Sequence, residues 1–417
     1  MLAEMSHPEA YDERCSAEAA NRWVPTMNQM LVLRAGQVFN GERSLGQASV
    51  VIRDGKISDL DTSGAPPPEG ARIFDFGSDA CVLPGLIDAH VHLAFDASAD
   101  VVKSLAARDD NTLVDHLEAA AIRALHAGVT TVRDLGDRTY LSLKLSGRVP
   151  SAGLPHIVPS GPPITTNGGH CHFLGGEAEG DAALRAAVLE RAERGCSVVK
   201  VMVSGGNLTA GSQPHQSQYD LAALRIVVDE AHRAGLPAAA HVHGAQAVAD
   251  AVEAGFDTLE HVTFFTADRV YADPALLDRI AASDAAVSVT VGSMPNGFAP
   301  PPAIARRMAA ILANHRRMFQ AGAMMVPGTD AGVSPGKPHD VLPHALRALV
   351  EQIGMTPLQA LRAATSISAS AIGLEGAKGR IAAGADADVL VVRGDPLVDI
   401  GSVTNVQAVF RAGVRAR

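Results

Sequence analysis

The sequence contains little cysteine, which limits the classes of protein it can belong to. There are four cysteines in 417 residues, and no two of them form a Cys-x-x-Cys pair. This spacing argues against a zinc ribbon, and a chain of this length does not need disulfides in order to fold. We therefore expect reduced thiols and a cytoplasmic protein.

Positive charge and long apolar runs are also scarce. The net charge is −10 without a basic patch, which argues against nucleic acid or an anionic membrane as a partner. No apolar run approaches the roughly 18 residues of a membrane span. Residues 1–27 lack the cationic start and apolar core of a secretory signal. We expect a small-molecule substrate, no nucleic-acid or membrane partner, and a homo-oligomer.

The sequence pattern at the two ends of the chain is typical of a small β domain. Residues 28–82 alternate short apolar runs with turns, including an Asp-Gly turn at Asp54 and Gly55. Short strands return in residues 374–417, where Asp386 and Asp388 precede an apolar run and are predicted to be structural. We predict one β-sandwich domain built from both segments. Residues 1–27 are predicted to be a flexible extension.

Residues 83–373 instead alternate strands with amphipathic helices. Several predicted helices are followed by a glycine, as in helix C-caps. Eight such units predict an α/β fold, a (β/α)8 TIM-like barrel. The alternative, a doubly wound sheet, usually has a Gly-x-Gly-x-x-Gly turn, and the sequence contains none. The eight predicted strands are residues 86–93, 128–135, 156–160, 198–204, 238–243, 258–264, 286–291 and 324–329.

The first predicted strand of this series ends in a His-x-His pair. Alternate residues of a strand point to the same face, so His90 and His92 project together, about 7 Å apart along the backbone. Two imidazoles that converge in this way suit a borderline cation such as Zn²⁺. The pair follows Pro84 and Gly85 in the stretch Leu-Pro-Gly-Leu-Ile-Asp-Ala-His-Val-His-Leu.

This stretch resembles the first-strand signature of the amidohydrolase superfamily of metal-dependent hydrolases. More narrowly, the chain resembles its imidazolonepropionase-like and Xaa-Pro or Xaa-Arg dipeptidase-like members, from about residue 30 to residue 410. Active sites of barrels form at the carboxyl ends of the strands. Ligand-type side chains occur there on five predicted strands, in the family's order: His90, His92, Lys200, His241, His261 and Asp330.

The resemblance implies two divalent metal ions, which we expect to be Zn²⁺. It places one ion on His90, His92 and Asp330, and the other on His241 and His261. It also implies that Lys200 reacts with CO₂ to form N6-carboxylysine, whose carbamate bridges the ions. Pairing of this buried lysine with an acidic side chain, and a site with one ion, remain alternatives.

Other residues are candidates for catalysis and for substrate binding. Asp330 can take the proton of the attacking water. The resemblance gives His170, in a glycine-rich loop after the third strand, a role at the substrate carbonyl, and its neighbour His172 is a second candidate. His243 lies two residues after His241, on the same face, and can support the metal ligands from outside or face the substrate. A hydrogen-bonded structural histidine is the alternative. The loop after the fourth strand adds His215 and Tyr219 as candidate substrate contacts.

Together, these features predict a hydrolase that cleaves a C–N bond by a metal-activated hydroxide. The expected substrate is an N-acyl amino acid, a dipeptide or a cyclic amide. Lactone, ester or carbamate hydrolysis and deamination are alternatives on the same scaffold. A metal-binding protein without catalytic activity is a further alternative, although every expected ligand is present.

Overall fold

A computed structural model describes residues 30–147, 153–295, 297–300 and 302–417. The predicted flexible extension, residues 1–27, lies outside the described residues. Within these ranges, no helix combines the length and the apolar character that a membrane span requires.

The strands of the described chain fall into two groups, one from the chain ends and one from the middle. In chain order they are β1 (Met30–Ala35), β2 (Gln37–Val38), β3 (Ala48–Arg53), β4 (Lys56–Asp61), β5 (Arg72–Asp75), β6 (Ala80–Pro84), β7 (Leu86–Val91), β8 (Val129–Asp134), β9 (His156–Pro159), β10 (Val199–Met202), β11 (Ala238–Gly244), β12 (Thr258–Phe265), β13 (Ala286–Val289), β14 (Met325–Pro327), β15 (Val389–Arg393), β16 (Val406–Arg411) and β17 (Val414–Arg415).

The central strands are all parallel and almost wholly buried. Strands β7, β8 and β9 form one sheet, and β10 to β14 form another. Isolated parallel bridges, Val91 with Ala331 and Ile164 with Val201, connect the two sheets at both junctions. All eight strands predicted for this region are therefore present, in a TIM-like order. Because parallel strands share their direction, their carboxyl ends meet at one edge.

Helices cover the outside of these strands. They are α1 (Val101–Ala106), α2 (Asp110–His126), α3 (Leu141–Ser146), α4 (Asp181–Arg194), α5 (Leu221–Arg233), α6 (Ala245–Ala254), α7 (Pro274–Ala282), α8 (Pro302–Gln320), α9 (Leu342–Ala348), α10 (Pro357–Arg362) and α11 (Ser368–Ala371). The C-cap glycines predicted from the sequence follow α4 and α6, where Gly195 and Gly255 have φ angles of 87° and 85°. Only glycine adopts this left-handed conformation without strain.

The helical segment that runs from Pro357 to Ala371 is interrupted. A π-helical turn, Ala363–Ile367, separates α10 from α11. The Thr365 hydroxyl donates to the carbonyl of Leu361 at 2.6 Å, and the Ser368 hydroxyl donates to that of Ala363 at 2.6 Å. These side-chain hydrogen bonds compete with the regular backbone pattern, which the apolar periodicity alone does not reveal.

Strands from both chain ends form two further sheets, in the orders β4-β3-β1-β5 and β17-β16-β15-β6-β2. Leu33 and Ile52 of the first sheet share a hydrophobic cluster with Val391 and Phe410 of the second. The predicted Asp-Gly turn joins β3 to β4, with φ angles of 50° at Asp54 and 76° at Gly55. Two successive positive φ angles are typical of a type I′ hairpin turn.

The two aspartates predicted to be structural are part of a buried ionic network. The Lys378 ammonium lies 2.7 Å from Asp388 and 2.5 Å from Asp386. The second Asp388 oxygen accepts from the Arg411 guanidinium at 3.0 Å and from the Ala412 amide at 2.8 Å. Asp388 therefore ties β16 to the segment that precedes β15.

We expect Asp388→Ala to lower the free energy of unfolding by about 3 kcal/mol, because it leaves the Lys378 and Arg411 charges with less compensation in a buried place. The measurement is urea denaturation of the variant against the parent chain. Glu69→Ala, in an exposed loop, is the matched control and should leave the midpoint unchanged. A similar midpoint for both variants would contradict a structural role for Asp388.

Candidate functional site

Three predicted ligand residues meet at the carboxyl ends of β7 and β14. The Nε2 atoms of His90 and His92 lie 3.3 Å apart. The Asp330 Oδ1 atom lies 3.5 Å from the first and 3.4 Å from the second. Zinc–ligand bonds of about 2.0–2.2 Å at tetrahedral angles separate ligand atoms by roughly 3.3–3.6 Å. The triangle therefore has the dimensions of one face of a zinc site.

The far side of each imidazole is held by a hydrogen bond. His90 Nδ1 lies 2.9 Å from the Glu260 carboxylate, and His92 Nδ1 lies 3.2 Å from the Gly136 carbonyl. A carboxylate and a carbonyl accept hydrogen bonds, so each Nδ1 carries the proton. Each Nε2 then directs its lone pair into the cluster, as a metal ligand requires.

Glu260 was not predicted as a site residue, although it immediately precedes His261. It is fully buried and accepts from the Arg133 guanidinium at 2.9 Å as well as from His90. The guanidinium also donates to the Ala89 carbonyl at 2.7 Å. The sequence contained one indication of this role, because Glu260 is an acidic residue inside a predicted strand. Its partners lie on β7 and β8, far away in the chain.

The second cluster is formed by residues within β11 and β12. His261 Nε2 lies 3.0 Å from His241 Nδ1. The other ring nitrogen of His241 lies 3.2 Å from the Gly205 carbonyl and must donate to it, so its Nδ1 presents a lone pair. The other ring nitrogen of His261 lies 3.1 Å from the Thr290 hydroxyl. Each imidazole thus has one ring nitrogen held by an outer partner, and its second ring nitrogen faces the other histidine.

His243 lies beside this second cluster. A nitrogen of its ring falls within 4.8 Å of ligand atoms of His241 and His261. Its Nδ1 lies 3.0 Å from the Thr263 hydroxyl, and its ring stacks on that of Phe265 with 5.6 Å between centroids. The structure therefore brings His243 to the site, where it can contact either a metal or a substrate.

Lys200 is fully buried on β10, and within the described chain its Nζ atom has no hydrogen-bond partner. Burial lowers its pKa to about 8, although Glu260 opposes the shift. Besides burial, the charge of Lys200 contributes to the lowered pKa of His90 in one cluster and of His261 in the other. A buried amine without a partner is costly, and it indicates a missing neighbour.

The site is built from uncharged imidazoles and one carboxylate. Burial, followed by the neighbouring histidines, holds the pKa of His241 and His261 well below the usual range. Burial would raise the pKa of Asp330, but its close contacts with His92 and His90 lower it overall. Neutral imidazole and ionised carboxylate are the forms that bind metals.

The candidate catalytic histidine of the glycine-rich loop also reaches the site. The His170 ring is buried, and its centroid lies 4.9 Å from that of His241. Its Nδ1 has no hydrogen-bond partner among the described residues. The neighbouring His172 instead donates from Nδ1 to the Gly169 carbonyl at 3.0 Å. His170 is therefore a buried imidazole beside the second cluster, with one ring nitrogen that has no partner among the described residues.

The two loop candidates after β10 differ in their contacts. Tyr219 is buried, and its hydroxyl donates to the Ala178 carbonyl at 2.8 Å. His215 is partly exposed, and its main chain packs against Gly244 at the end of β11. Tyr219 therefore has a structural contact in this conformation, while the His215 side chain remains accessible near the second cluster.

The donor set fits divalent metal ions. Nitrogen and oxygen ligands from imidazoles and a carboxylate suit zinc among the common metals. Two groups of such atoms lie next to each other, since the rings of His90 and His261 have centroids 5.0 Å apart. The unpartnered Lys200 amine would complete the set if it became an anion.

Comparisons with known proteins agree with this chemistry. The model of the amidohydrolase family matches residues 81–416. An ochratoxinase from Aspergillus niger is 27% identical over 413 residues, which covers 89% of this chain and 83% of that enzyme. An imidazolonepropionase from Rubrobacter xylanophilus is 28% identical over 386 residues, covering 83% of this chain and 84% of that enzyme.

Solved structures show the same fold. A Xaa-Pro dipeptidase with methionine bound in its active site superposes with a TM-score of 0.79. It is 26% identical, and the match covers 93% of this chain and 99% of that structure.

The position of His170 yields a test. A methyl group on Gly206 would lie 2.2 Å from His170 Nε2, so Gly206→Ala should displace this ring. Because misplaced catalytic groups are costly, we expect kcat to fall by about 10- to 100-fold. Bound metal, measured by plasma emission, should be retained. Gly147→Ala, whose added methyl would meet its nearest atom at 3.6 Å, is the control. Unchanged turnover or loss of metal would contradict the assignment.

Proposed function

This chain belongs to the amidohydrolase family, as its first-strand signature predicted, and we propose that it is a metal-dependent hydrolase that cleaves an amide-type C–N bond of a small molecule. N-acyl amino acids, dipeptides and cyclic amides are the proposed substrates. One observation carries this proposal: two clusters of ligand atoms lie next to each other, and the buried Lys200 amine has no hydrogen-bond partner within the described chain. The dipeptidase and imidazolonepropionase relatives support the choice of a C–N bond.

Two divalent ions, which we propose to be zinc, would be held by these clusters. His90, His92 and Asp330 would hold one ion, and His241 and His261 the other. Bound zinc supplies Lewis-acid chemistry: it polarises a carbonyl and lowers the pKa of water. His243 remains available beside the second group for the substrate.

Lys200 is proposed to carry the bridging group. The ammonium would first lose one proton. The neutral amine would then add to CO₂, forming an N–C bond as one C=O π bond opens and releasing a second proton, so that a cationic side chain becomes an anionic carbamate. Burial supports this step because it lowers the pKa of the amine to about 8, and the neutral form is then accessible. The anionic carbamate would also be attracted by the two metal ions, whereas the amine has no hydrogen-bond partner among the described residues.

Asp330 and His170 are proposed to act on the substrate. The Asp330 carboxylate would take the proton of the attacking water and return it to the leaving amine. Its lowered pKa supports an ionised carboxylate at neutral pH. His170, with its free Nδ1 atom, would donate a hydrogen bond to the scissile carbonyl oxygen. His172 and His215 are proposed to line the substrate cleft further out.

The domain division is also proposed from the observed contacts. We propose that β7 to β14 close into a (β/α)8 barrel, supported by the parallel bridges at both junctions between its sheets. Residues 83–373 would then form the hydrolase barrel. Residues 28–82 and 374–417 would form one β-sandwich, supported by the hydrophobic cluster that their sheets share.

A hydrolysis screen tests the function. Zinc-loaded protein is incubated with N-acyl amino acids, dipeptides, imidazolones and lactones, and products are followed by mass spectrometry. Release of an amine or ring opening at a C–N bond supports the proposal. Turnover of lactones alone would replace it by an ester-type activity. An Asp330→Asn preparation, purified in the same way, controls for contaminating hydrolases.

Asp330→Asn should lower kcat by about 10²- to 10⁴-fold, because an amide cannot accept the proton of water. Circular dichroism should show an unchanged fold. Steady-state kinetics on the best substrate of the screen provide the measurement. Near-normal turnover in this variant would remove Asp330 from the role of base.

Lys200→Ala should reduce the metal content from about two ions per chain, because the proposed bridge is lost. Acetate or formate should restore part of the binding by filling the vacated space. Plasma emission after zinc saturation and desalting gives the ion count, and intact mass gives the carbamate on the parent chain. Lys200→Arg is the matched control, since arginine stays cationic and cannot form a carbamate. Two ions in all three proteins would contradict the bridge.

A further inference from the structure

The backbone in the middle of β12 departs from an ordinary strand. Consecutive residues of a strand point to opposite faces, yet Glu260 contacts His90 while His261 contacts His241. Both side chains therefore reach the interior. The backbone permits this because His261 and Val262 have φ angles of 70° and 48°, in the left-handed region. This conformation is rare for residues with side chains, and above all for a β-branched valine.

A histidine from α8 holds this strained turn. The His315 ring is buried, and its Nε2 lies 3.0 Å from the carbonyl oxygen of His261 and 3.2 Å from that of Val262. Both partners are acceptors, so Nε2 carries the proton and donates to the two oxygens. Strained conformations persist where the surrounding structure fixes them. His315 fixes the two peptide units that turn the His261 side chain inward.

A second histidine makes the same contact at the other cluster. His339, in the segment between β14 and α9, is buried, and its Nε2 lies 3.1 Å from the carbonyl oxygen of His92. His92 follows the last residue of β7, and its carbonyl also accepts a hydrogen bond from the Phe95 amide at 3.2 Å. Each cluster thus has one outer histidine that donates to the main chain of a ligand histidine.

We infer that His315 and His339 are positioning residues, and that each sets the affinity of the chain for one of the two metal ions. The inference rests on the ligand assignment of the proposed function. Neither ring belongs to a cluster of metal-ligand atoms in the described chain. They act through the carbonyls of His261 and His92, because the position of a peptide unit fixes where its imidazole ends. Groups that orient metal ligands typically change metal affinity by about 10- to 100-fold.

The test compares two substitutions at each position. Leucine removes the donor at similar volume, while glutamine retains an amide N–H near the place of Nε2. Zinc affinity is measured by chelator competition. Anomalous diffraction at the zinc edge, at limiting zinc, shows which cluster loses its ion. His232→Leu, at an exposed ion pair at the end of α5, controls for the loss of any histidine.

We expect His315→Leu to weaken zinc binding at His241 and His261 by about 10- to 100-fold, with less than about a twofold change at the other cluster. His339→Leu should show the reverse pattern. His315→Gln and His339→Gln should recover most of the lost affinity, since the amide can donate to the same carbonyl. This site-by-site loss and recovery is a pattern that a general loss of packing does not produce.

Three results would overturn the inference: unchanged affinities, equal loss at both clusters in each variant, or equal loss with leucine and glutamine. If a leucine variant does not fold, an asparagine variant replaces it. The asparagine side chain is one methylene shorter than that of glutamine, so its amide does not reach the main-chain carbonyl. A parent chain that binds no zinc at either cluster would overturn the proposed function instead. Two zinc ions in the parent, with unaffected variants, would overturn only the positioning role.

Discussion

The interior of this protein depends on how its buried polar atoms are satisfied. In each cluster, ring nitrogens that face away from the centre are hydrogen-bonded, for example His90 to Glu260 and His241 to Gly205. The nitrogens that face inward meet only one another or Asp330. Polar atoms removed from water need partners. Cations at the centre of each cluster would provide them, and the outer hydrogen bonds prepare the imidazoles for this role.

Buried charged residues behind the ligand histidines are part of the same hydrogen-bonded arrangement. Arg133 and Glu260 form a fully buried pair, and Glu260 also orients His90. Removing one partner of such a pair is strongly destabilising, so the pair couples the orientation of a ligand to the stability of the fold. Lys200 is also buried, and among the residues that the structure describes its amine has no hydrogen-bond partner. The interior thus contains buried charged and polar groups that a core with only a structural role would not contain.

The strand ends alone do not build the site. His261 and Asp330 both have positive φ angles, 70° and 59°, which ordinary side chains avoid. These residues face the centre because the chain turns sharply there. Backbone strain of this kind costs about 1–3 kcal/mol at each residue and persists only where neighbours hold it. Buried His315, outside the clusters, donates to the main-chain carbonyls of His261 and Val262, where such strain lies.

The sequence by itself determined the fold class, the family and the candidate ligands. Two-residue alternation placed His90 and His92 together, and parallel strands brought their carboxyl ends to one edge, so a local pattern was sufficient. Tertiary structure alone decided what holds these ligands. Glu260 lies 170 residues from His90, and His339 lies 247 residues from His92. No periodicity connects such distant positions, because their contacts depend on how the elements pack. The left-handed turn at His261 is likewise set by tertiary contacts, since local preference in the sequence opposes it.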